Sequence, residues 1–583
     1  MSGPEEVVAH LPRQIVICCD GTNNTLTAGT ADTNVLRLYA HLAAHPAPGR
    51  VLYYDPGVGT LDVAPPTDPA DWLQRSVRRL AGLASGRGVY DNIELAYRFV
   101  MQHWRDERDR IYAFGFSRGA FTARCVVGMI NLFGVLAPQH EALLPTLIRV
   151  YFSQPSNRKG SAVEQATRAV HHAVAQRRTE ELAPLAGRAR AVGPVTREAL
   201  AEQVRELFTT PAGREAWVHW TGVWDTVESV GLPGPLSRSN PATATLRGKR
   251  IRHVRHALSF DEHRWTFEPR LYEEPGDIDD PLTGQTLKQR WFHGVHGDAG
   301  GGYPAPEAGL SDEALRWMVR EVAADLGVPA MPAGDAQRIA HDALWSSPWW
   351  ALTGMSLRDM QPRTSNGVPI EVIPGSNAAA PVRSVWEQRR SLGPVIAALV
   401  LGLASLLLSG ACLTGLGWHG LWTADGALQA AQAAQGFAAD QLQAMALQGV
   451  LAPGRQPWRH PGQPAWAMAW DLAFIACWGY LLGRVASRAF AWLAGPRGPS
   501  SRKPAWHWLG MAPVFAVNGD LAEDAMTLVA LGLHGLGADL AAGVCLWLGA
   551  LGSIAKFGGL LACVPLLAVR MWIALPGVKR WRR

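Results

Sequence analysis

Residues 111–129, IYAFGFSRGAFTARCVVGM, restrict the fold of this chain more than any other stretch. A short apolar strand runs into Gly115-Phe116-Ser117-Arg118-Gly119, and small or apolar residues at helical spacing follow. That is the strand, tight turn and helix of a nucleophile elbow. The turn forces the serine into a strained conformation with Oγ exposed, and the two glycines let strand and helix pack closely around it. The first helical turn offers backbone N–H groups and a positive dipole end to a developing oxyanion. GxSxG alone arises by chance about 0.3 times in a chain of this glycine content, so the flanking strand and helix carry the argument. A strand feeding a helix in this way belongs in a parallel sheet.

Other segments supply the rest of such a sheet. Residues 14–19 (QIVICC) form a continuous apolar run ending at Asp20-Gly21-Thr22, which reads as a buried parallel strand and a polar loop. Residues 51–54 form a second strand, and 92–104 a helix ahead of the elbow. Strands over 217–224 and 289–295 end at Asp225 and His296, the second followed by a Gly-rich loop over 297–303. A helix over 310–326 has Ser311 as N-cap and Glu313 in its first turn. Strands alternating with helices give an α/β class, a mostly parallel sheet covered on both faces.

Residues 137–213 are Ala-, Arg- and Glu-rich, with helical spacing over 161–177 and 197–209, and read as a cap-like helical insertion or a solvated helical pair. From about residue 391 the chain changes class. No charged residue lies between Arg390 and Asp425, and 392–416 is long enough to span a bilayer. Residues 465–483 are a second candidate. Residues 525–570 hold two more, joined by a tight turn near 549–553. Basic residues flank these four candidate spans, which places both chain ends on one side of a membrane. A buried helical domain is the alternative.

Ser117, Asp225 and His296 each close a predicted strand, so a parallel sheet brings them to one edge. Serine is a weak nucleophile until a base takes its proton, which His296 is placed to do. Asp225 would fix the imidazole tautomer and stabilise the imidazolium. The Arg118 N–H is one candidate oxyanion donor, and Gly21 or Thr22 the second. Asp261 is a reserve acid. His293, His296 and Asp298 form an HxxHxD pattern, but neither Cys nor a rigid helical scaffold supports a metal there. His253, His256 and His263 read as structural. No cofactor motif appears. Seven cysteines form no CxxC pair and sit mostly in apolar runs, as buried hydrophobes do in a reducing compartment. The net charge of +6 on 583 residues lacks a basic arm for nucleic acid, and the acidic N-terminus is not a Sec signal peptide.

Six segments taken in order carry a family resemblance: IVICCDGTNNT (15–25), YYDPGVGT (53–60), DRIYAFGFSRGAFTAR (109–124), GVWDTVESVG (222–231), HALSFDEHRWTFEP (256–269) and WFHGVHGDAGGGYP (291–304). Together they resemble the α/β-hydrolase family that includes the first class of GxSxG-type phospholipase effectors of type VI secretion. The resemblance implies an α/β-hydrolase domain over 14–350 with Ser117, Asp225 and His296 in the catalytic positions. A disordered start (1–13), a linker (351–390) and a membrane-associated helical region (391–583) complete the expected organisation. It further implies a glycerophospholipid substrate, a cognate immunity protein, and a spike protein or chaperone for delivery. Such an effector is made in the bacterial cytoplasm and acts in a target-cell periplasm. The residues also leave open a membrane-anchored housekeeping esterase, lipase or thioesterase of the inner membrane, and a non-enzymatic membrane-disrupting protein.

Overall fold

The computed structural model describes residues 11–21, 31–57, 87–153, 196–227, 245–359, 362, 370–371, 373–374, 383–384, 393–414, 425, 463–494, 504–536 and 539–574. They fall into two compact units. One comprises residues 1–261, 267–341 and 360–383; the other comprises 262–266, 342–359 and 384–583.

The first unit is built on a seven-stranded sheet. Its strands are β1 (Gln14–Cys19), β2 (Arg50–Asp55), β3 (Arg110–Phe116), β4 (Val218–Trp224), β5 (Ile251–Ser259), β6 (Ile278–Asp280) and β7 (Gln285–Phe292). The spatial order is β2-β1-β3-β4-β5-β7-β6, parallel throughout except that β6 runs antiparallel to β7. The chain passes from β1 outward to β2, then returns to the other side of β1 as β3. That reversal opens a crevice beyond the carboxyl ends of β1 and β3, where open α/β sheets bind ligands.

Alternate side chains of each central strand feed two different cores. Ile15, Ile17, Ile111 and Ala113 pack with the helices α2 (Arg87–His103), α3 (Arg118–Phe133), α4 (Leu144–Phe152) and α5 (Arg197–Phe208). Val16, Cys18, Tyr112 and Phe114 pack on the opposite face with α1 (Asn34–Ala44) and α7 (Gly309–Leu326). The short α6 (His296–Gly300) lies between β7 and α7 in sequence. A sheet buried on both faces needs apolar residues at every position, which is why β1 and β3 read as continuous apolar runs.

The expected strands 14–19, 51–54, 111–116 and 217–224 are present to within a residue or two, as is the helix over 197–209, while the helix expected over 92–104 already begins at Arg87. The portion of the insertion from 154 to 195, including the expected helix over 161–177, lies outside the described residues. Three expectations need correction. The strand placed at 289–295 is β7, which ends at Phe292 because Gly294 takes φ +98°. The loop over 297–303 begins as the helix α6. Helix α7 starts at Gly309 with Ala308 as N-cap; Ser311 lies inside its first turn, its Oγ donating to the Ala308 carbonyl at 2.9 Å.

The second unit is helical, with α8 (Gly393–Thr414), α9 (Gln463–Ala494), α10 (Ala512–Gly535) and α11 (Asp539–Ala574). Residues 342–359, which include part of the expected linker, pack here: Leu344, Met355 and Leu357 join Ala486, Phe490 and Leu566 in one core. The expected turn near 549–553 is mid-helix in α11, and α10 ends at Gly535. Among the described residues, one helical stretch rather than four, Gly543–Trp572, is long and apolar enough to cross a membrane. Helix α10 carries Asp520, Glu523 and Asp524, which break its apolar window. Among the residues whose side chains are described, Pro394–Ser409 of α8 is an apolar helical stretch of shorter length. Only 22% of the Gly543–Trp572 window is buried. Trp547, Ile554, Phe557 and Leu561 are exposed, unlike the core helix of a water-soluble domain.

Candidate active site

Ser117 joins β3 to α3 at φ 58°, ψ −123°. This conformation costs a non-glycine residue about 1–3 kcal/mol, and the surroundings hold it there. The Ser117 N–H donates to the Trp224 carbonyl at 3.0 Å, and its carbonyl accepts from the N–H groups of Phe121 and Val227, each at 3.3 Å. Two glycines make the turn sterically possible. A Cβ on Gly115 would lie 2.5 Å from the Gly119 carbonyl oxygen, and one on Gly119 would lie 2.2 Å from the Cys19 oxygen. The start of α3 is therefore pressed against the end of β1. The Arg118 N–H has no hydrogen-bond partner among the described residues, so a donor stands free one residue past the serine.

The β1 end loop is adjacent, as an oxyanion loop should be. The Gly21 N–H, however, donates to Asp20 Oδ1 at 2.7 Å. Gly21 is thus occupied in this conformation. Thr22 lies outside the described residues. Asp20 also accepts from Thr33 Oγ1 at 2.5 Å and from the Tyr54 hydroxyl at 2.7 Å. Neighbouring Asp55, buried at the end of β2, has its carboxyl pushed up to about 6. Burial dominates, Asp20 adds to it, and the Gly57 N–H and Asn92 amide oppose it. Burial likewise drives the Cys18 and Cys19 thiols up, so neither is a reactive thiolate.

Asp225 follows β4 at φ 41° and is fully buried. His296, the first residue of α6, places Nδ1 2.5 Å from Asp225 Oδ2. The carboxylate is held from its far side: Ser259, the last residue of β5, donates its N–H to Oδ1 and its Oγ–H to Oδ2, each at 3.0 Å. The Asp225 N–H donates to the Ala257 carbonyl at 2.7 Å. The rings of Phe116 and Phe267 pack on the imidazole with centroids 4.6 and 4.9 Å away. Phe116, whose ring stacks on His296, immediately precedes Ser117 in the chain. A serine, an imidazole and a buried carboxylate at one sheet edge, beside a free backbone donor, are the parts needed for acyl transfer.

Sequence comparison adds to this geometry. Residues 13–321 match the family described as T6SS, phospholipase effector Tle1-like, catalytic domain. The chain belongs to this family. It is also 27% identical over 257 residues to the uncharacterized protein YEL023C of Saccharomyces cerevisiae. That match covers 44% of this chain and 32% of the yeast protein, so the chain spans about a third of that relative. No solved structure matches.

In this Tle1-like catalytic domain the other candidates have separate positions. Asp225 takes the His296 Nδ1, while the reserve acid Asp261 accepts the Gly294 N–H at 2.9 Å and faces His293 at 3.5 Å. The HxxHxD residues do not converge: Asp298 Oδ2 accepts the Val295 N–H at 3.0 Å, and its Oδ1 faces His341 at 2.6 Å. His256 is buried in a structural role, with Nε2 accepting from the Thr226 N–H and Nδ1 beside the Gln289 amide oxygen.

Two supporting groups escaped sequence reasoning. Ser259 lies within the quoted 256–269 segment, but nothing local marks it as the carboxylate's partner. His341 sits forty-five residues beyond His296, between Asp298 at 2.6 Å and Glu307 at 3.1 Å, and stacks on Tyr303. Burial opposes its charge, yet the hydrogen bonds and charges of the two carboxylates outweigh it and raise its pKa. Through Asp298, His341 ties down α6, the helix that presents His296.

Proposed function

We propose that this protein is a phospholipase of the A type, a serine hydrolase cleaving the acyl esters of membrane glycerophospholipids, and that it acts as an antibacterial type VI effector. The observation that carries this reading is His296 held on buried Asp225 beside the strained elbow serine, in a chain of a phospholipase effector family. His296 Nε2 takes the proton as Ser117 Oγ attacks the ester carbonyl, and Asp225 stabilises the imidazolium. The Arg118 N–H meets the developing oxyanion, with the second donor from the 20–22 loop after rearrangement. His296 then protonates the departing lysophospholipid alkoxide, and water hydrolyses the acyl-enzyme by the same steps in reverse.

Arg118 also favours a phosphorylated ester over a neutral one. Burial pushes its guanidinium down to about 10, and it makes no hydrogen bond or ion pair among the described residues. An uncompensated cation one residue from the nucleophile suits an anionic substrate group. The uncovered apolar helix Gly543–Trp572 suits a substrate that lies in a bilayer. An immunity protein in the producing cell, and a spike protein or chaperone for delivery, belong to this reading.

The test is fatty-acid release from phosphatidylethanolamine and phosphatidylglycerol vesicles. Ser117→Ala should lower the rate by at least about 10³-fold, and unchanged activity would remove the assignment. Arg118→Gln should raise KM for phospholipid and leave KM for a neutral short-chain ester unchanged. Periplasmic expression in a naive bacterium should be toxic, with Ser117→Ala harmless. Toxicity that survives Ser117→Ala would favour membrane disruption without catalysis. The yeast match shows that the domain's pattern is not confined to bacteria, which favours a housekeeping esterase as the second reading. A naive host that tolerates the active enzyme would support it.

A further inference from the structure

His219, His253 and Asp325 converge at the opposite edge of the sheet from Ser117. One ring nitrogen of each histidine and one carboxylate oxygen of Asp325 lie within 4.8 Å of one another. His219 Nε2 is 3.1 Å from Asp325 Oδ1. The three come from different elements: the second residue of β4, the third of β5, and the end of α7. Asp225 follows the other end of β4, six residues from His219, which at about 3.3 Å per residue separates the cluster from the triad by roughly 20 Å.

We propose that these three side chains bind a divalent transition metal of the zinc class. Two imidazoles and one carboxylate are a donor set of borderline softness that suits Zn²⁺, and three protein ligands leave a fourth position open. The surroundings match a metal site in three ways. First, the rings are braced: His219 packs edge-on to Tyr112 at 5.4 Å and to His253 at 5.3 Å, and His253 lies 5.1 Å from Trp220. Second, His253 Nδ1 is 3.0 Å from Thr286 Oγ1. That hydroxyl already accepts from Arg255, and its remaining lone pair can take the Nδ1–H, turning Nε2 outward as the ligand atom. Third, His219 and His253 line a cavity of about 980 Å³, which supplies an entry path and room for the fourth ligand.

Cationic side chains also surround the cluster, Arg110 and Arg252 lining the same cavity. Arg255 is committed to Glu321 at 2.6 Å, and Lys288 to the same carboxylate at 2.9 Å. Bound metal would cross-link β4, β5 and α7 and stabilise the folded state by mass action.

The experiment is equilibrium dialysis of the untagged full-length protein against Zn²⁺, with Co²⁺ as a spectroscopic probe. One equivalent should bind, with the visible absorption of four- or five-coordinate Co²⁺. His219→Ala and His253→Ala should each weaken binding by about 100-fold or more, and Thr286→Val, which leaves all three ligands in place, by about 10–100-fold. Ser117→Ala should bind normally. Stoichiometric binding that persists in the His219/His253 double alanine variant, or no saturable binding to the wild-type chain, would overturn the proposal.

Discussion

Ser259→Ala probes the geometry around the buried carboxylate most sharply. In the native chain Asp225 Oδ2 receives both the Ser259 hydroxyl at 3.0 Å and the His296 imidazole at 2.5 Å. The alanine variant keeps the Ser259 N–H bond to Oδ1 and the strand register, and removes only the hydroxyl. A hydrogen bond to a charged acceptor is worth about 1.5–3 kcal/mol. If half or more of that is expressed as misorientation of His296 in the transition state, kcat should fall about 4- to 160-fold, at 1.36 kcal/mol per tenfold. Removing a donor also makes the carboxylate more basic and strengthens its hold on the imidazolium. The acidic limb of the kcat/KM profile should therefore move to higher pH. A purely structural role for Ser259 would lower the melting temperature and leave that limb in place. The assay is fatty-acid release from vesicles between pH 5 and 9, normalised to folded protein by circular dichroism. A limb that does not move, with kcat within twofold of wild type, would refute the reasoning.

Asp225→Asn should reduce kcat by about 10⁴-fold with little change in KM, because the amide supports the wrong imidazole tautomer; single-turnover kinetics on a chromogenic ester would measure it. Gly119→Ala should destabilise by about 3 kcal/mol or more in urea unfolding, since the new Cβ would stand 2.2 and 2.3 Å from the backbone oxygens of Cys19 and Asp20. His341→Gln should cost about 1.5–3 kcal/mol near pH 6. His341 has a folded pKa raised above its ordinary value, so its ion-paired contribution is complete below the unfolded pKa of about 6.5 and is lost as pH rises through the folded value. The destabilisation measured for His341→Gln should accordingly shrink on going from pH 6 to pH 9.

Strands whose burial is apolar on both faces were legible directly: β1 and β3 contain no charged residue inside the run, and their boundaries emerge to within a residue. Strand β5 was not. Its sequence, IRHVRHALS, alternates basic residues with apolar ones, yet it lies in the middle of the sheet. Arg255 is neutralised by Glu321 and His256 is bonded to Thr226 and Gln289, so its polarity is satisfied by partners distant in sequence. Strand β7 was misplaced by a few residues because a glycine at positive φ ends it before the apolar run does.

The chain's own order of residues determined that a serine would occupy a tight strand-to-helix turn. It also determined that an aspartate and a histidine would follow at the carboxyl ends of later strands, since a parallel sheet leaves no other edge for them. Folding decided what surrounds those three groups. Ser259 behind the carboxylate, His341 under α6 and the aromatic rings on His296 all depend on contacts between segments tens to hundreds of residues apart. Local pattern records the period of an element and the residues that can end it. It carries no record of which distant side chain will satisfy a buried charge, because that choice is made only when the two surfaces pack.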